Sequence, residues 1–424
     1  MENNKLKLSI KTLQNIFSNT EEPTWFLNTR KLALYRSYTL PFPKLESMNL
    51  DSWNLFNIDF STLRLEEMNT LDISNYGLEQ DDFAIVQKNN AVVHVSIPEK
   101  YRDKVIIKDI FSAMNDDHIK DSFMSVVDYA ENKVTAVHYT LLNAGLFIDV
   151  KENIVIEEPL QYIVISDKEQ SLFNHVTINV GENSTFNFIE TTKEDKAPFS
   201  FVAEVVTHEG AKINYSSITN QPREKRGTIL RRGLTFKNSL INWNVAAMDE
   251  ADVYHDNTTN ILGDGSEANL KIVTLGVKEQ KTYFNSEVVN QGLSSKGDIL
   301  QHGVLLDKSH IVFNGVGFIV KGATGSNAYQ SSRMLTLSSD AKADANPMLL
   351  IDENDVMAGH GASLGRIDEE QLYYLQSRGL TRKESSRLLV HGFLSPVISE
   401  LTVDKIKELV TILIDEKIKN NESD

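Results

Sequence analysis

From about Ile154 the chain takes on one texture and keeps it for nearly 200 residues. Short strands of alternating polar and apolar residues are each introduced by a cluster of Gly, Asn, Ser, Asp or Lys, as in GENSTFNFIE from Gly181, EGAKINYSSI from Glu209 and KNSLINWNV from Lys237. The pattern continues through GSEANLKIVTL from Gly265, SKGDILQHGVLL from Ser295, DKSHIVFNGVGFIV from Asp307, GATGSNAYQSSRML from Gly322 and SDAKADANPMLLI from Ser339. Between Gly292 and Asp355 the turn clusters recur about every 11 to 16 residues. Such a run builds either an antiparallel sandwich or barrel, or a coil whose turns stack into a parallel β-helix. Recurring small-residue turns followed by alternation favour the coil, because each inward residue then stacks on its counterpart one turn below. Helical crossovers are absent from the run, which argues against a doubly wound parallel sheet.

The two ends read as helical. Near the start, Leu13, Ile16 and Phe17 fall at helical spacing, and Pro23 suits a first turn. WFLNTRKLALYRSY then brings Trp25, Leu32 and Tyr35 onto one surface, with Arg30 and Lys31 expected in water, until Pro41 and Pro43 stop the helix. Residues 45–150 are mixed: a strand at Ala91–Ile97, helix expected over 110–124 and 125–130, and a helix or a strand pair over 133–150. In the tail, Asp368 with Gln371 and Thr381 with Glu384 have capping-box spacing, Gly379 can end a helix, and Ser395 with Pro396 predict a new segment start. Ile406, Leu409, Val410, Leu413 and Ile414 form the apolar stripe of a last helix. The division expected is a helical or mixed part (1–150), a β-helix core (151–367) and a helical tail (368–424).

Net charge is -16 with pI near 5.2, and no basic stripe offsets it, so nucleic acid is not an expected partner. No signal peptide or membrane span is readable, and a cytoplasmic protein is expected. The chain has no cysteine, hence no disulfide, thiolate nucleophile or thiolate metal ligand. P-loop, dinucleotide fingerprint, G-x-S-x-G and H-E-x-x-H motifs are all missing. Of ten histidines, His360 has the most unusual setting, with Gly359 and Gly361 on either side and Asp352, Glu353 and Asp355 just upstream. Imidazole near carboxylates suits a borderline metal such as ferrous iron. The competing reading is that the two glycines only turn the chain from sheet to helix.

YQSSRML (329–335), DANPMLLI (344–351), HGASLGRIDEEQLYYLQSRGL from His360 and HGF (391–393), in this order, resemble the SufB/SufD family of scaffold components in Suf iron-sulfur cluster assembly. EPTWFLNTRKLALYRSYTLPFP from Glu22 is similar to the family's amino-terminal helix. The strong match runs from about 263 to 401; upstream, over 45–251, only pattern and order support it. The resemblance implies a mainly β fold, a right-handed parallel β-helix flanked by α-helical ends, and a non-catalytic role. It further implies a heterodimer with a SufB-like paralogue through the β-helix, a SufC-like ABC ATPase docked on the carboxyl-terminal helices, and a homodimer when the chain is alone. His360 is implied to lie at the heterodimer interface and to help hold iron or a transient iron-sulfur cluster. No residue pattern supports a flavin. Absence of cysteine points to the SufD branch, since the SufB branch is expected to supply a thiolate. Just before His360, relatives are expected to show cysteine then serine, where this chain has Ala358 and Gly359. A polysaccharide-cleaving β-helix enzyme, the rival reading, would need paired carboxylates on one sheet face and a secretion signal; the carboxylates here are scattered over turns.

Overall fold

Successive strands alternate between two sheets, so that one strand in each sheet makes a turn of a coil and each turn pairs in parallel with the one before. In the computed structural model the described residues are 6, 8–17, 22–53, 55, 58, 60–63, 73–116, 123–166, 171–193, 198–223, 225–401 and 404–421. Sheet A has ten strands, from Ala91–Ser96 and Ala84–Lys88 at one end to Asn327–Thr336 and Met357–Arg366 at the other. Sheet B has nine, from Val105–Asp109 to Lys342–Ile351. Only the first pair in each sheet is antiparallel among these ladders. The parallel β-helix is therefore as expected, and both sheets already take in strands from before residue 151. Turn clusters recur at half a coil: side chains bonded across neighbouring turns lie 27 to 31 residues apart.

Inside the coil, Leu160, Phe188, Tyr215, Trp243, Leu270 and Ile299 occupy one column in register. Their rings pack closely, with centroids 5.0 Å apart for Phe188 and Tyr215 and 4.9 Å for Tyr215 and Trp243. On the outer face a ladder of amides repeats the register in polar form. Asn214, Asn242 and Asn269 each donate to the asparagine one turn earlier, at 2.7, 2.8 and 2.9 Å. Corners are tight enough to require glycine. A Cβ on Gly263 would sit 2.1 Å from the Lys237 nitrogen, and one on Gly292 would sit 2.2 Å from the Gly263 oxygen, which no rotamer change relieves.

Each end of the chain covers one face. Helices α1 (Ile10–Ile16), α2 (Thr24–Thr39), α3 (Ile110–Ala113) and α4 (Lys133–Leu141) precede the coil. Their residues Leu34, Val137 and Leu141 pack with Val202, Leu230 and Tyr254 outside sheet B. Helices α5 (Glu369–Ser377), α6 (Arg382–Ile398) and α7 (Asp404–Asn421) follow it. Val390, Leu394, Ile406 and Val410 of these pack on Ile218, Val273 and Val304 outside sheet A. No helix among the described residues is long and apolar enough to cross a membrane.

Several local expectations need correction. Arg30 is not in water: α2 buries Phe26, Arg30, Ala33 and Leu34, while Leu32 and Tyr35 are exposed. Its guanidinium donates to both Glu22 oxygens (2.8 and 2.5 Å) and to the carbonyls of Thr140 (3.0 Å) and Leu142 (2.7 Å). Helix at 110–124 shrinks to α3, capped by Asp109; 117–122 lie outside the described residues. Residues 125–130 form turns instead, because Glu204 takes the Val126 and Val127 N–H groups at 3.1 and 2.6 Å and Asp128 takes that of Ala130 at 2.8 Å, in competition with helical bonding. In the tail, Pro396 starts no segment and lies within α6. The Gly392 carbonyl that it leaves without an N–H accepts the Ser395 hydroxyl at 3.0 Å. The Thr381–Glu384 capping box and the α7 stripe are as expected.

Under the amino-terminal cover runs a fully buried polar chain. The Ser200 hydroxyl meets His138 Nδ1 (2.9 Å), His138 Nε2 meets His175 Nδ1 (3.2 Å), and His175 Nε2 faces Glu204 at 3.3 Å. Burial, then His175 and Arg30, hold the His138 imidazole well below its ordinary value near 6.5. Below that pH the unfolded chain takes up a proton that the folded chain refuses. Stability should therefore fall on acidification below about pH 6.5, by up to about 1.4 kcal/mol per pH unit from this group, with no contribution above it. Urea midpoints between pH 6.5 and 5 should show a shallower slope for His138→Gln than for wild type; equal slopes would assign the effect elsewhere.

Candidate functional site at the open end of the coil

The last turn of the coil is made by Lys342–Ile351 of sheet B and Met357–Arg366 of sheet A. Each pairs on one side only among the described residues, with His310–Ile319 and Asn327–Thr336 respectively. A parallel strand with a free edge presents a row of unpaired N–H and C=O groups, an arrangement that proteins ordinarily cover. Here the end also bares apolar side chains, Met357 at 58 % and Leu364 at 52 % exposure, beside Leu350 and Ile351. Repeat folds normally finish in a polar cap, and among the described residues this coil has none.

His360 sits in the middle of the last strand, opposite Gln330. By register it continues the inward column of Leu270 and Ile299, yet it is exposed, because no further turn lies above it. Gly359 and Gly361 do not turn the chain: they are extended strand residues, and the helix begins only after the Asp368 cap. Their missing side chains open the outer face of sheet A. There a groove of about 770 Å³ is lined by residues that include Lys271, Asp298, Tyr329, Ser331, Glu400, His360 and the two glycines.

Asp352, Glu353 and Asp355 belong to the corner that joins the two strands of the last turn. Glu353 accepts the N–H groups of Asn354 (2.7 Å) and Gly322 (3.0 Å) and pairs with Lys321 at 3.2 Å. These contacts hold its carboxyl down to about 2, the two backbone bonds more than the lysine. It thus serves the corner. Among the described residues no group of three or more His, Asp or Glu side chains is placed to hold a metal.

The sequence reading missed polar groups inside the coil. Glu190 accepts from Tyr215 Oη (2.9 Å) and Ser217 Oγ (3.2 Å). Arg231 donates to the same Ser217 oxygen (2.8 Å) and to Asn257 Oδ1 (3.2 Å). Burial pushes the Glu190 carboxyl up, with Arg231 opposing it. Nearer the end, Gln301 accepts from Ser286 (2.9 Å) and donates to Ser332 (3.0 Å), and Gln330 donates to the Met348 carbonyl at 2.6 Å. Glu, Arg and Gln on strands usually mark an outer face. Their sequence signal was confined to alternation, which placed Glu190 in phase with Phe188 and Arg231 in phase with Ile229 of the core.

Residues 163–393 match the family described as SUF system FeS cluster assembly, SufBD core domain. Along 98% of its length the chain is 36% identical to the iron-sulfur cluster assembly protein SufD of Bacillus subtilis, covering 99% of that protein. It is 24% identical over 94% of its length to an iron-sulfur cluster assembly SufBD family protein of Staphylococcus saprophyticus, covering 90% of it, and equally to one of Staphylococcus haemolyticus. The chain with its cysteine-free coil and open last turn therefore belongs to the SufB/SufD family of the SUF iron-sulfur cluster assembly system, as a SufD-type member.

Proposed function

We propose that this SufD-type assembly protein acts as a non-catalytic scaffold whose open coil end joins that of a SufB-like paralogue, with His360 as one ligand to iron or a nascent cluster in the interface. The observation that carries the reading is the coincidence at one place of two free strand edges, bared apolar side chains and the inward-register His360. Added strands would satisfy both edges and bury the apolar surface. Iron and cluster are cargo here. A lone imidazole cannot retain them, so loading and release follow from what the partner adds, a thiolate being the natural complement for iron.

The carboxyl-terminal helices supply the docking surface proposed for a SufC-like ABC ATPase. Tyr373, Tyr374 and Leu388 are exposed there. Arg382 and Arg387 remain more than half exposed while paired with Glu369 and Asp415. Such a surface suits a transient partner with an apolar centre and a charged rim.

Replacing His360 with alanine in the complex co-expressed with its paralogue and ATPase should lower iron and acid-labile sulfide by about 10-fold, with unchanged subunit ratio. Iron and sulfide equal to wild type would overturn the assignment of His360.

A further inference from the structure

We infer that Gln330 is the positioning residue for His360, acting as a tie that fixes the open edge strand of sheet B to the strand of sheet A directly beneath His360; the inference rests on the reading of His360 as a ligand. Gln330 lies one turn below His360 in the same inward column and is 5% exposed. From sheet A its side chain crosses the coil, and Nε2 donates to the Met348 carbonyl on the last strand of sheet B at 2.6 Å. Its Oε1 carries no hydrogen bond among the described residues and rests against Gly315, where a Cβ would come within 2.3 Å. The glycine is thus a notch that admits the amide.

Deeper turns carry polar crossings too, Arg231 to Ser217 among them, but do not depend on them. Their strands are held from both sides and by interior packing, whereas the last turn has neighbours below only. Apolar contact there is non-directional, and the side chains of Ala358 and Ala362 beside His360 are short. A hydrogen bond of fixed reach sets a distance where packing cannot. One turn below, Gln301 makes a similar crossing between Ser286 of sheet B and Ser332 of sheet A, so the end of the coil is closed by two polar cross-links in succession. A ligand shared across an interface must be placed to about 0.5 Å by its supporting groups. Gln330 is the buried polar group in register with His360 that also reaches the opposite edge.

Two variants test this. Gln330→Leu removes the donor, while Gly315→Ala keeps the glutamine but displaces its amide. In the isolated chain, amide hydrogen exchange over 342–351 and 357–366 should quicken at least tenfold in both, with 267–305 unchanged. In the co-expressed complex both should weaken ferrous iron binding by about 10- to 100-fold at unchanged subunit ratio. Wild-type exchange in both variants would overturn the tie, as would quickened exchange with wild-type iron affinity overturn its role in positioning. His360→Ala is run alongside: if that variant alone loses iron, the present inference fails and the ligand reading stands. If His360→Ala also binds iron normally, the ligand reading fails, and the positioning role with it.

Discussion

Replacing Arg30 with methionine should lower stability by about 3–5 kcal/mol, since a buried charge left without its partner is among the costliest single changes. Methionine keeps much of the stem volume, so the loss isolates the guanidinium. Glu22 would be stranded at 8% exposure, and the Thr140 and Leu142 carbonyls would lose their donor. Phe17 and Phe26, whose rings lie 3.9 and 4.6 Å from the guanidinium carbon, would lose a cation–π partner as well. Arg30 ties α2 to the end of α4, so the amino-terminal cover should loosen first. Trp25 and Trp53 report that region and Trp243 the coil. Urea unfolding by fluorescence should show an early transition with Trp243 still native; a loss under about 1 kcal/mol would mean that water replaces the guanidinium. Glu22→Gln combined with Arg30→Met should restore part of the loss, because neither charge is then left alone.

Inside the coil, Arg231→Met should cost a similar amount, about 3–5 kcal/mol, with a different pattern. Glu190 would keep its bonds from Tyr215 and Ser217 but lose the charge that opposes its desolvation. Its carboxyl, already raised in the folded state, would rise further. An acid with a raised folded value binds its proton preferentially when folded, so stability is lost as pH climbs from the ordinary carboxylate range through the folded value. The deficit of the variant relative to wild type should therefore shrink as pH is lowered toward about 4.5. Glu190→Gln with Arg231→Met should remove both the deficit and its pH dependence. Denaturant midpoints of the three proteins at pH 7 and pH 5 decide the matter; a deficit equal at both would show that Glu190 is not the group stranded.

Much of this architecture was legible from turn chemistry. Strand starts after Gly265, Asp307 and Gly322 could be read because their corners need small or left-handed residues, and Thr381 with Glu384 announced a helix by a local bond. Strands buried on both faces were harder. Leu172–Val180 and Phe199–Thr207 are buried at every position, so the two-residue period that betrays a strand is erased. Arg30 was misread because its partners lie eight residues back and more than 100 ahead, beyond any helical spacing. His360 could be singled out by its glycines and by the family motif. Its inward register could not, since MAGHGASLGR has too few large side chains to show which face is the core. Gln330 was invisible as a tie for another reason: it opens a polar run, Gln330 to Arg333, in which no alternation marks an inner face.

The two helical ends of the chain lie on opposite faces of the coil, and this bears on the proposed pairing with a second coil. With both faces occupied, a partner adds most readily along the axis. The ten strands of sheet A already make a rod roughly 40 Å long at the usual strand spacing. A second coil joined end to end would lengthen that rod without thickening it. Cargo held at such a join would lie near the midpoint of the rod and beside the carboxyl-terminal helices, since one groove holds Gly359, Gly361 and Glu400 together.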